Sequence, residues 1–133
     1  MNARGLETCI AWFTLCALII YVPGETYVSL PGGLSNPFYL VDLTAMILMF
    51  WAAVHSLRAR PDCAPGLLCA AYGRAAANGW RSTFWRIGEL RKGGLLEYGD
   101  TEMWIVCVAT AIALLCFAIL LALTAINSPI RRQ

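Results

Sequence analysis

The sequence predicts an all-α integral membrane protein, an antiparallel bundle of four transmembrane helices forming one domain over residues 1–133. Apolar residues fill 59% of the chain and charged residues 14%, against roughly 45–50% and 25% in an ordinary soluble domain. A small soluble globule has abundant surface for its volume and needs polar side chains to cover it, so the surplus apolar surface is expected to face lipid. Three long runs, 8–22, 38–54 and 103–126, contain Asp42 as their only charged residue. Proline and glycine punctuate the chain between them, as helix ends require.

The first helix is expected at about 7–22. Arg4 ahead of an uncharged stretch has the outline of a signal peptide, but Ile19, Ile20, Tyr21, Val22, Pro23 and Gly24 stand where a small-x-small cleavage site should follow, so the segment is read as a retained anchor. Fifteen residues at about 1.5 Å each reach only ~22 Å, short of the ~30 Å hydrocarbon core, which places Trp12 and Tyr21 near the interfaces. Residues 23–36, free of Lys and Arg and rich in Pro and Gly, read as an extramembrane loop on the extracytoplasmic or lumenal side. Asn36 as cap and Pro37 at the first helical position open the second helix, 37–56, and His55, Ser56, Arg58, Arg60 and Pro61 form a basic exit of cytoplasmic type. The last helix, 101–126, is the most apolar; Ala109 with Ala113 and Ala118 with Ala122 are spaced for close helix approach, though an alanine-rich helix carries such pairs by chance.

The segment 63–87 is ambiguous. Its small residues Ala71, Ala75 and Gly79 recur every four positions, yet it contains Arg74 and Asn78 and runs on into RSTFWRIGELRK. On a helical wheel Arg74, Asn78, Arg81, Ser82, Glu89 and Lys92 gather on one face, with Cys69, Tyr72, Trp80, Phe84 and Ile87 roughly opposite. One placement has it crossing the membrane with Arg74 turned into the bundle, at about 2.5–3.5 kcal/mol for a central arginine. The alternative is three spanning helices plus one interfacial amphipathic helix. The distribution of Lys and Arg favours three spans, eight inside against two outside, over four spans, five against four. The small residues and the short 56–62 link favour a packed antiparallel hairpin, hence four helices, with the part from Arg81 onward as an amphipathic extension.

The net charge of +2, without a long basic run, excludes nucleic acid as a partner. The six cysteines show no C-x-x-C spacing and read as small buried hydrophobes. No G-x-S-x-G, P-loop, H-E-x-x-H or dinucleotide fingerprint occurs, so no catalytic residue, metal site or cofactor is assigned. His55, the sole histidine, excludes a bis-histidine haem and reads as a solvated interfacial side chain rather than an axial ligand or proton relay. Glu97, Asp100 and Glu102 complement the N-terminal dipole of the last helix.

The candidate lipid- or ligand-binding residues are Arg74, Asn78 and Arg81, which share a face, with Trp80, Trp85 and Asp42. The arginines and the asparagine suit an anionic head group or carboxylate held between helices, or else pair structurally with Asp42, Glu97 or backbone carbonyls. Trp80, Phe84 and Trp85 read first as an aromatic belt and second as a stacking platform. Asp42 lies one to two turns into its helix, where the helix dipole favours a carboxylate, and is alternatively a substrate or proton group.

The expected function is that of a small polytopic membrane protein without catalytic activity, an accessory or assembly component of a bacterial inner (plasma) membrane. It would bind lipid, a hydrophobic ligand or a larger partner, as a homo-oligomer or a subunit of a larger complex. The rivals are a homo-oligomeric channel or small transporter with Arg74 and Asn78 at a pore, and a lipid- or quinone-modifying enzyme using Arg81 and His55. A single chain offers little volume for a transport path of its own.

Overall fold

The computed structural model describes residues 3–29, 37–58, 66–93 and 99–126. They form four helices, α1 (Ala3–Ser29), α2 (Pro37–Arg58), α3 (Gly66–Arg91) and α4 (Gly99–Ile126). Three of them contain stretches long and apolar enough to cross a membrane, Arg4–Tyr27, Tyr39–Arg58 and Met103–Ile126. By length α3 also suffices, since 26 residues reach about 39 Å; its arginines and polar side chains keep it out of the apolar class.

Consecutive helices pack antiparallel. Arg4, near the start of α1, meets Ser56 at the end of α2, while Thr26 and Tyr39 meet at the other end, their hydroxyls 3.3 Å apart. α3 packs along both α2 and α4, whereas α1 barely touches α4. The core is a seam of small and medium side chains, with Ala11, Ala52, Ala53, Leu68, Ala71, Tyr72, Ala76 and Leu120 almost fully buried.

The first helix is longer than its apolar run. The expected loop at 23–36 is helical as far as Ser29, and Pro23 lies inside α1. Proline removes one N–H, the partner of the Ile19 carbonyl, and need not end a helix whose next turns are otherwise held. Here Tyr21 hydrogen-bonds Glu25 across the proline, and Thr26 bonds Tyr39 on the facing helix. Leu30 to Asn36, with Asn36 as the expected cap, lie outside the described residues.

α2 begins at Pro37, as its missing N–H permits, and carries His55 and Arg58 in its last turn, where cations oppose the dipole. α3 stops at Arg91, where Gly93 adopts φ 77° and donates its N–H to the Leu90 carbonyl at 3.1 Å, a left-handed stop that glycine supplies without strain.

The α3–α4 seam depends on two glycines. A Cβ on Gly79 would lie 2.4 Å from Thr110 Oγ1, and one on Gly73 would lie 3.0 Å from the Phe117 ring, so each permits an approach that alanine would obstruct. The small residues read from α4 are divided differently: Ala113 is buried, whereas Ala109, Ala118 and Ala122 are exposed. In α3, Ala71 is buried and Ala75 half-buried.

Candidate functional site

Among the described residues, three polar groupings interrupt the apolar packing. The first ties α1 to α2. Arg4 donates to Glu7 Oε2 at 3.0 Å and to the Ser56 carbonyl at 2.8 Å, and Ser56 Oγ donates to the other oxygen of the same carboxylate. Glu7 is 5% exposed and Ser56 4%. The carboxylate is thus desolvated but fully engaged, as a buried charge requires. Glu7 was not a candidate from sequence; its spacing of three from Arg4, which puts opposite charges on one helix face, was the available signal.

The second lies in mid-bundle. Thr14 Oγ1 donates to the Ile10 carbonyl at 2.7 Å, which leaves its lone pair to accept the Tyr72 hydroxyl, also at 2.7 Å. Cys116 on α4 hydrogen-bonds the same tyrosine. One hydroxyl therefore joins α1, α3 and α4 through fully partnered polar atoms, an arrangement that fixes register.

The third contains most of the sequence-derived candidates. Asp42 on α2 is half-buried and lies in the electrostatic field of Glu25 from α1 and of Arg81, Arg86 and Arg74 from α3. Tyr21 hydrogen-bonds Glu25 and feels Asp42 and Arg86. Arg86 donates to Ser82 Oγ at 2.5 Å and stands 5.9 Å from the centre of the Trp85 ring. Glu25 was missed from sequence because it fell in the segment read as a loop.

The structure separates the aromatic candidates. Arg74, Asn78, Arg81 and Trp85 follow one another at four, three and four residues and so share a flank of α3. Arg74, Arg81 and Trp85 are exposed there, and Asn78 is half-buried with its side-chain nitrogen enclosed and without a hydrogen-bond partner. Trp80 and Phe84, with centroids 5.0 Å apart, are also exposed but stand about 100° away round the helix. One expectation changes accordingly: Arg74 points out of the bundle, not into it. Small residues explain it: Ala71, Gly73, Ala76 and Gly79 allow close helix approach that leaves no room for a guanidinium group between the helices.

Level along the bundle follows from the α3–α4 contacts. The middle of the apolar span Met103–Ile126 is at Leu114 and Leu115. Carried across through the Gly73–Phe117 and Gly79–Thr110 pairs, this middle is level with Ala75 and Ala76. At about 1.5 Å per residue, Arg74 lies within ~2 Å of that level, Arg81 about 8 Å from it, and Trp85 and Arg86 about 14–16 Å from it.

His55 is exposed at the opposite end, away from Arg81, so these two do not form a site. Among the described residues, no group of three or more His, Cys, Asp or Glu side chains is placed to hold a metal. Glu97 lies outside the described residues, and Asp100 and Glu102 fall in the first turn of α4. No protein-family model, curated protein or solved structure matches the chain.

Proposed function

We propose that the protein is a four-helix integral membrane protein without catalytic activity of its own. In this role it is an accessory or assembly component that binds a membrane amphiphile or a larger membrane partner on the outer flank of α3. One observation carries the proposal. α3 is packed into the bundle beside apolar helices, yet it presents Arg74 outward near the middle of the apolar span of α4. A guanidinium at such depth is costly, and a polar group of a lipid, ligand or partner chain on that flank would offset part of the cost. Helical spans rather than a closed β-barrel fit a plasma-type membrane such as the bacterial inner membrane.

The test is extraction from the native membrane in mild detergent. Native mass spectrometry is expected to find a lipid, hydrophobic ligand or partner chain retained in defined stoichiometry, and released when Arg74, Arg81 and Trp85 are replaced together by Gln, Gln and Ala. A bare chain of unchanged composition in both preparations would refute the proposal. Exclusive closed homo-oligomers conducting ions in bilayers would instead support the channel alternative.

A further inference from the structure

We infer that Tyr27, Tyr39, Trp85 and Trp104, one from each helix, form an aromatic girdle that lies in the lipid head-group boundary of one leaflet, while the knot of Arg4, Glu7 and Ser56 marks the opposite boundary. This rests on the four-helix membrane reading above and adds the surface by which the bundle meets the head groups.

Side-chain contacts between helices give the register. α1 and α3 run in the same direction, and the Thr14–Tyr72 bond joins residues 58 apart, which brings Tyr27 level with Trp85. The Thr26–Tyr39 bond brings Tyr39 to the level of Thr26, one residue from Tyr27. α4 runs against α3, and the close approach of Gly79 to Thr110 makes Trp104, six residues before Thr110, level with Trp85, six residues after Gly79. Four aromatic residues from four helices therefore lie within about 1.5–3 Å along the bundle axis. Tyr27 is 78% exposed, Trp104 71% and Trp85 57%, and Tyr39 is half-buried. Indole and phenol rings pair an apolar body with one polar edge, which suits the layer between hydrocarbon and water.

The spacing to the second boundary agrees. Glu7 stands twenty residues before Tyr27 on α1, or about 30 Å, which is the thickness of a hydrocarbon core. There α1 and α2 both turn polar, with Arg4 and Ser56 on the Glu7 carboxylate and with His55 and Arg58 exposed nearby. Half-way between Glu7 and Tyr27 is Ala17, level with Ala75 through the Thr14–Tyr72 bond. Ala75 is also the level reached from the middle of the apolar span of α4, so the two boundaries and the apolar span share one centre. Among the described residues, the charged side chains exposed well between the boundaries are Arg74, at the centre, and Arg81, about 6 Å beneath the girdle.

The full chain in bilayers of lipids brominated at successive acyl positions tests this placement, using five variants that each keep one tryptophan and carry Phe at the other four. Quenching is expected to place Trp85 and Trp104 about 15 Å from the midplane, and Trp12, Trp51 and Trp80, each five residues from the central level, at about 7–8 Å. A nitroxide on Ile105→Cys in a cysteine-free chain reads the girdle itself. In lipids with chains of about 14 to 22 carbons it should keep a constant depth below the head groups, and Tyr27→Leu, Trp85→Leu and Trp104→Leu together should let it sink in the thickest. Trp12→Leu with Trp51→Leu, exposed aromatics off that level, should leave it in place. Trp85 or Trp104 found as deep as Trp51, or a nitroxide unmoved by the three leucines, overturns the girdle while leaving the bundle in the bilayer. Quenching of all five tryptophans by aqueous iodide and of none by brominated lipid overturns the membrane reading beneath it.

Discussion

Gly79→Ala tests the close helix seam on which the bundle depends. The added Cβ would stand 2.4 Å from Thr110 Oγ1, 3.1 Å from its Cβ and 3.3 Å from its Cγ2. Rotating the threonine moves the hydroxyl away but breaks its 2.7 Å donation to the Val106 carbonyl and leaves the Cβ where it is. Overpacking of this kind costs about 1–3 kcal/mol, and the better helix propensity of alanine returns at most ~1 kcal/mol, so the variant should be about 1–2 kcal/mol less stable. Thr110→Ala removes the two atoms that collide through their rotamer and leaves only the 3.1 Å contact, which a shift of a few tenths of an ångström relieves. In a double-mutant cycle the pair should therefore be more stable than the sum of the singles by about 1 kcal/mol. Unfolding by a denaturing detergent in mixed micelles, followed by tryptophan fluorescence, measures all four chains. A Gly79→Ala variant as stable as the parent, or strictly additive effects, would refute the packing described here.

Glu7→Ala should destabilise the bundle by about 2 kcal/mol, because Arg4 and Ser56 lose their shared acceptor; Glu7→Gln should cost less, and the same detergent titration checks both. Tyr72→Phe breaks the link between Thr14 and Cys116 but leaves Thr14 bonded to Ile10, so a loss of only about 0.5–1 kcal/mol is expected, measured likewise. A spanning α3 puts the 59–65 and 92–98 links on opposite sides of the membrane. Single cysteines introduced there in a cysteine-free background should label from opposite faces with an impermeant thiol reagent, and labelling from one face would eliminate the crossing.

The sequence made α2 and α4 legible because their residues are apolar all round and their ends carry Pro37 and a basic exit or a polar stop. α3 was harder, since glycine and alanine contribute little hydropathy while permitting the tightest packing in the molecule. The extent of α1 was hidden by Pro23, whose effect depends on the Tyr21–Glu25 and Thr26–Tyr39 bonds rather than on proline itself. In the candidate site the Arg74–Asn78–Arg81 spacing predicted a shared flank, and Trp85 proved to belong with it. Trp80 did not, because one residue more or less turns a side chain by about 100°. Glu7 and Glu25 were harder to read as site members, because each also meets residues of other helices that sequence spacing does not reveal, Ser56 for Glu7 and Asp42 for Glu25.

The knot of Arg4, Glu7 and Ser56 also bears on biosynthesis. Before α2 has been synthesised, the carboxylate of Glu7 has a nearby guanidinium but lacks the Ser56 hydroxyl, so it retains its water. Shelter becomes complete only when the end of α2 emerges. On the proposed membrane reading, α1 and α2 are therefore expected to enter the bilayer together, as a unit, rather than one after the other.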